Sequence, residues 1–254
     1  MLYLIAFVFG SIWGSFSNVC IHRIPEDISV VTGRSHCPSC KTQIKWHDNI
    51  PLFSYLFLKA KCRGCSAKIN IKYFLVELIS AISFVVIFHF FGISLATLLF
   101  FILSICFVII FFIDFKHFII PNELTYPLMI IGLLKSFDPN LNTTLFPDLI
   151  NSLIGGFFGY TIIWLIIFIY KKIRNKEGMG LGDAKLLSAI GFWFGWTSIP
   201  FIIFFSSVAA LISVIPDLIT NKKKLTSQIP FGPFIIIGTL IFLFSNDYIK
   251  IFLN

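Results

Sequence analysis

Residues 95–114 read Leu-Ala-Thr-Leu-Leu-Phe-Phe-Ile-Leu-Ser-Ile-Cys-Phe-Val-Ile-Ile-Phe-Phe-Ile-Asp. No charge interrupts the run until its last position, where the carboxylate of Asp114 closes it. A helix of this length reaches roughly 30 Å at about 1.5 Å per residue, the thickness of a bilayer's hydrocarbon. Further apolar runs lie near 2–21, 73–91, 118–134, 149–170, 184–196, 198–219 and 232–252. Across all 254 residues, 57% are hydrophobic and only 13% charged, and 32 are Phe. A soluble domain would carry about twice that charge, so no water-facing surface can be built from this composition. The sequence predicts an all-α polytopic membrane protein of about eight transmembrane helices. Residues 1–21 form the first span, 22–72 a small loop domain and 73–254 a seven-span core. The runs at 118–134 and 184–196 are short for a span, and both sit beside aspartates. Met1 to Cys20 has no basic leader and no small-residue cleavage site, so it reads as a retained span.

The net charge of +8 does not point to nucleic acid, because the Lys and Arg fall in loops between apolar runs. With Met1 outside, the inside segments 22–72, 116–117, 171–185 and 221–224 hold 18 of the 20 Lys/Arg. Only Lys135 and Lys250 fall elsewhere. Basic loops are retained in the cytoplasm, so this orientation is the expected one. It brings Asp114, ending the third run, and Asp183, opening the sixth, to the same membrane face.

The 22–72 segment contains Cys37-Pro-Ser-Cys40 and Cys62-Arg-Gly-Cys65 with 21 residues between the pairs. Two such knuckles can give four thiolates to one tetrahedral Zn²⁺. A metal would also stabilise a segment too small for a core of its own. Gly64 suits a tight turn, and Arg63, Lys61 and Lys41 would offset the thiolate charge. Disulfides are the first competing reading, disfavoured by a reducing compartment. A thioredoxin-like redox pair is the second, but no βαβ pattern surrounds it. Cys20 and Cys106 lie inside apolar runs and read as packing residues.

Ionisable groups in membrane spans are costly and are presumed functional. Asp114 leads into Lys116, His117 and Ile120-Pro121-Asn122, and Asp183 ends Gly180-Leu181-Gly182-Asp183. Gly180 and Gly182 would permit unusual backbone and let a substrate chain approach closely. Two carboxylates sharing one proton in a wet cavity can divide acid and base roles in peptide hydrolysis. The competing reading has each Asp capping a helix or pairing with a neighbouring Lys, and an N-cap role suits Asp183. The five histidines are scattered, and no Ser/His/Asp or Cys/His arrangement competes. A cation transporter relaying charge through the aspartates is the non-enzymatic rival, but no inverted repeat supports it.

These residues resemble the bacterial type IV prepilin leader peptidases, within the wider G-x-G-D intramembrane aspartyl peptidases. The likeness runs through Gly14-Ser15-Phe16-Ser17-Asn18-Val19, His22-Arg23-Ile24-Pro25, both cysteine knuckles and Asn49-Ile50-Pro51. It continues through Tyr73 to Glu77, Asp114 with Ile120 to Thr125, Gly178 to Leu186, and Ile229-Pro230-Phe231-Gly232-Pro233-Phe234. Lys72-Tyr73-Phe74 departs from the family's usual Arg-Tyr-Pro, and Cys20 stands at a usually aliphatic position. The resemblance implies cleavage of the basic leader of prepilins and pseudopilins in a bacterial inner membrane. It further implies N-methylation of the new amino terminus by S-adenosylmethionine, with Glu77 involved. The residues by themselves support cleavage, since the aspartates sit where a leader would leave the membrane. They do not support methylation, because no Rossmann G-x-G-x-x-G unit is present. Pairing of Glu77 with a loop Lys or Arg is the structural reading of that residue, and a peptidase without methylation remains an alternative function.

Overall fold

The computed structural model describes residues 1–141, 145–175, 178–219 and 228–253, with backbone alone for 217–219 and 246–253. Lys176 and Lys222–Lys224, part of the expected inside charge, lie outside the described residues. The helices are α1 (Leu2–Arg23), α2 (Phe53–Phe57), α3 (Ile71–Phe91), α4 (Leu95–His117), α5 (Asn122–Leu134), α6 (Leu149–Arg174), α7 (Leu181–Phe194), α8 (Ser198–Ile219) and α9 (Gly232–Leu253). Among the described residues there is no strand, only two isolated β-bridges within the cysteine segment.

Every apolar run became a helix, and among the described residues five regions, at α1, α3, α4, α6 and α8, are long and apolar enough to cross a membrane. The 13 residues of α5 and the 14 of α7 reach only about 20 Å. The chain divides into two compact units, Met1–Phe112 and Ile113–Asn254, with the boundary inside α4.

In the first unit α1 and α3 meet through glycine. A Cβ on Gly10 would lie 2.8 Å from Ser80 O, and one on Gly14 would lie 2.7 Å from the Glu77 Cα. Small residues four apart let helix backbones touch where lipid provides no hydrophobic drive for association. Phe84 of α3 stacks on Phe101 of α4 with ring centroids 3.8 Å apart, so aromatic faces join the next pair.

In the second unit α7 is the central helix. Asp183, Ala184, Leu186 to Gly191, Trp193 and Phe194 are all buried. A helix apolar all round belongs in an interior, which explains how so short a run is accommodated: its neighbours cover it. Gly155, Gly156 and Gly159 of α6 face it, and a methyl on Gly155 or Gly191 would collide with the opposing backbone. Ser152 and Ser188 donate across this seam to Phe192 O and Gly156 O at 2.7 and 2.8 Å. From α5, Leu128 O accepts from Trp193 Nε1 at 2.8 Å, and Gly132 leaves the space the indole occupies. The result packs α7, whose first turn carries Asp183, against α5 and α6 along its later turns.

Candidate active site

Asp114 lies in the last turn of α4 and is 4% exposed; Asp183 lies in the first turn of α7 and is 8% exposed. After Asp114 the chain leaves α4 through Phe118, a bulky residue at φ 58° whose N–H donates to Asp114 O at 3.0 Å. Left-handed backbone at a residue this large is uncommon and is found where the surroundings impose it. The turn delivers Ile120 and then Pro121, the N-cap of α5.

Ile120 is the hinge of the site. A Cβ on Gly182 would lie 2.9 Å from Ile120 Cβ, and one on Gly232 would lie 3.0 Å from Ile120 Cδ1 and 2.7 Å from Asp114 Oδ2. One isoleucine side chain therefore separates the residue before Asp183 from the residue bonded to Asp114. Gly182, which precedes Asp183, and Gly232, which is bonded to Asp114, thus approach the same isoleucine. Asp183 lies in the first turn of its own helix, and Asp114, at the C-terminal end of α4, faces the first turn of α9. Gly232, first in α9, donates its N–H to Asp114 Oδ2 at 2.9 Å. Helix N-termini favour negative charge. Burial opposes a charge at either carboxyl.

The unusual backbone expected of the two glycines, and the competing N-cap reading of Asp183, both differ from the structure. Gly180 and Gly182 do not adopt left-handed backbone. Gly180 is the N-cap of α7 at φ −84°, ψ 150°, and Gly182 lies within the helix. What Gly182 supplies is room, since any side chain there would strike Ile120. Asp183 is likewise not the N-cap; it lies in the first turn, with its N–H donating to Gly180 O at 3.2 Å. The site also gives a place to residues the sequence reading quoted within motifs without assigning them a role: Ile120, Gly232 and Asn122, whose Oδ1 accepts from Lys185 Nζ at 2.7 Å.

The four cysteines Cys37, Cys40, Cys62 and Cys65 converge, with all ligand atoms within 4.8 Å of one another. Cys37 Sγ lies 3.8 Å from Cys65 Sγ, and Cys40 Sγ 4.0 Å from Cys62 Sγ. Four sulfurs about 2.3 Å from a tetrahedral Zn²⁺ sit about 3.8 Å apart, so the cage fits that ion. The two knuckles are near copies. Cys37 N–H donates to Thr42 O and Lys41 N–H to Cys37 O, each at 2.9 Å; Cys62 to Ala67 and Ser66 to Cys62 repeat both bonds at the same length. The left-handed residues are Lys41 at φ 59° and Ser66 at φ 57°, not Gly64. Cys40 Sγ donates to Thr42 Oγ1 at 3.3 Å, and the Thr42 side chain and then its backbone lower the Cys40 thiol from its ordinary value to about 6. Arg63 is not aimed at the sulfurs. It forks onto Asp48, with Nη2 2.6 Å from Oδ1, and holds that carboxyl below its ordinary range. Cys20 and Cys106 stand outside the cluster, and all six thiols are free.

Glu77 pairs with no Lys or Arg among the described residues. Its Oε2 accepts from the Leu52 N–H at 2.8 Å. Leu52 has φ 63°, ψ −50°, so the carboxylate holds a strained turn. A cavity of about 570 Å³ lies nearby in sequence, lined by Arg34, Lys45, Trp46 and Asn49 among others.

No solved structure matches the chain. The family model described as Bacterial Peptidase A24 N-terminal domain matches residues 8–91, and that described as Type IV leader peptidase family matches 101–215. A prepilin leader peptidase/N-methyltransferase of Aeromonas salmonicida is 35% identical over 274 residues, covering 98% of this chain and 92% of the relative. A protein of the same name from Vibrio cholerae is 37% identical, covering 96% and 97%. One from Pseudomonas aeruginosa is 35% identical, covering 97% and 91%. With relatives at 35% and 37% identity covered over nine-tenths or more of both chains, the cysteine cage inside one matched region and Asp114 and Asp183 inside the other, the chain belongs to the type IV leader peptidase family.

Proposed function

We propose that Asp114 and Asp183 cut the basic leader from type IV prepilins and pseudopilins at the cytoplasmic face of a bacterial inner membrane. Family membership makes the chain a leader peptidase and N-methyltransferase. The observation that carries the aspartyl reading is the meeting of two buried carboxylates around Ile120, one in a helix's first turn and the other facing one. One carboxylate, ionised, takes a proton from water as it attacks the scissile carbonyl. The other, protonated, donates to the carbonyl oxygen; as the tetrahedral intermediate collapses and the C–N bond breaks, the proton taken from water passes to the leaving nitrogen and the oxygen's proton returns to its carboxylate. Gly180 is exposed beside Asp183, which supports the 180–182 backbone as the place where a substrate strand lies.

In this reading all eight long helices occupy the bilayer, the N-terminus is outside, and residues 22–72 form a cytoplasmic domain between a first span at 1–21 and the core at 73–254. The 18-to-2 charge division supports it. One structural Zn²⁺ on Cys37, Cys40, Cys62 and Cys65 would tie that domain together. S-adenosylmethionine would supply the methyl group. The aromatic face of Trp46 suits its sulfonium and the Arg34 guanidinium its carboxylate, and the cavity's volume lies within the roughly 300–1,000 Å³ range of small-molecule sites. No observation favours the peptidase-only or transporter alternative.

Co-expression with a prepilin, followed by intact mass of the product, tests both activities together. The expected species lacks its leader and is heavier by one methyl; an uncleaved product overturns the proposal. In the same assay Glu77→Gln is expected to lower methylation by about tenfold or more with little loss of cleavage. Gln still offers an oxygen to the Leu52 amide, so the loss would report the carboxylate itself. Equal loss of both activities would mean that Glu77 only supports folding.

A further inference from the structure

The short helix α2 lies between the two cysteine knuckles and is pinned to the start of α3. The Leu52 N–H at its N-cap donates to Glu77 Oε2 at 2.8 Å, and the Tyr55 ring lies 5.1 Å from that of Phe74. Both anchors belong to the first two turns of α3, which opens at Ile71 and is long and apolar enough to cross a membrane. At about 1.5 Å per residue, Phe74 and Glu77 lie roughly 5 and 9 Å below that start. That is the depth of the boundary between headgroups and acyl chains, where amphipathic elements settle.

Phe53, Leu56 and Phe57 stand at i, i+3 and i+4, on one helical face, and are 59%, 64% and 82% exposed. Three large apolar side chains on one turn and a half of helix form a patch that water does not favour. The chain then turns back sharply through Lys59 and Ala60, at φ 50° and 56°, whose N–H groups donate to Leu56 O and Tyr55 O. Two successive left-handed residues keep the finger short and return the chain to the second knuckle. The flanking charge is basic, with Lys45 before the helix and Lys59, Lys61 and Lys72 after it.

We propose that α2 is an interfacial anchor: Phe53, Leu56 and Phe57 enter the leaflet at the Ile71 end of α3, and the surrounding lysines meet anionic headgroups. The partner is the lipid surface. The consequence is that the cysteine cage rides on the membrane, held there by its own middle segment as well as by α1 and α3. This inference rests on α3 crossing the bilayer and is independent of how the aspartates act.

Full-length protein carrying Phe57→Trp, and separately Phe53→Trp, is placed in nanodiscs of mixed phosphatidylglycerol and phosphatidylcholine, with and without brominated acyl chains. The parent has five tryptophans, so the added one is read by difference. Brominated lipid should quench the added indole about twofold or more, while aqueous iodide leaves it almost untouched, as for an indole at the acyl boundary. Quenching by iodide with none by bromine would place the face in water and overturn the proposal. Shielding from both quenchers would mean that protein covers α2, which overturns it as well. Two positions are used so that the result does not depend on one substitution's packing.

Discussion

Asp114→Asn is expected to abolish leader cleavage, as is Asp183→Asn, and the double variant should be no worse than either single. Residues that act as one unit lose the whole of their contribution with the first substitution, about three orders of magnitude or more in turnover for a catalytic pair. The geometry makes Asn a clean test. An amide at 114 still offers an oxygen to the Gly232 N–H that now donates to Asp114 Oδ2 at 2.9 Å, so the α4–α9 contact survives. At 183 the helix-end role of the carboxylate is worth only about 0.3–1 kcal/mol, too little to unfold the chain. Methylation of a pre-cleaved substrate should therefore persist in both singles, and their melting temperatures should move by only a few degrees. A purely structural role predicts the opposite pattern, with small stability losses that add and cleavage that continues. Substantial turnover by either single variant in a detergent assay would rule out the paired-aspartate mechanism.

Removal of the metal should have the second-largest effect. One Zn²⁺ per chain is expected by elemental analysis, falling to near none in Cys62→Ser, because three remaining thiolates leave the tetrahedron open. Structural zinc contributes an apparent 10–16 kcal/mol in comparable small domains, at roughly neutral pH. Segment 22–72 has little core of its own, since only Cys37 and Leu52 among its apolar residues are buried. Without metal it should open to proteolysis between Arg34 and Arg63, while α6 to α9, packed through Gly155, Gly191 and Trp193, stay protected. Purified protein with no zinc and four freely alkylated thiols would refute the metal site.

How far the sequence could be read differs from element to element. The apolar runs located every long helix, because a chain that cannot expose this much hydrocarbon to water has few alternatives. The knuckle spacing named the four cysteines that converge. It did not reveal the near-copy hydrogen bonding of the two loops, which makes Lys41 and Ser66 the left-handed residues in place of Gly64. Arg63 looked like a counter-charge to the thiolates and is instead committed to Asp48, fifteen positions away, a pairing no local pattern announces.

Sequence by itself determined that this protein is a helical membrane chain with two paired cysteine knuckles and with Asp114 and Asp183 at the edges of two apolar runs. Composition, run length and motif spacing are local properties, and each constrains its own segment. Only the tertiary structure decided how the site is assembled. It set Ile120 between Gly182 and Gly232 and brought the first N–H of α9 to Asp114. It also turned Glu77 toward the Leu52 amide instead of toward a cation. These contacts join segments distant along the chain, and the packing of whole helices determines which of them meet. Glycine there is read correctly only once the neighbour filling its missing side chain is known.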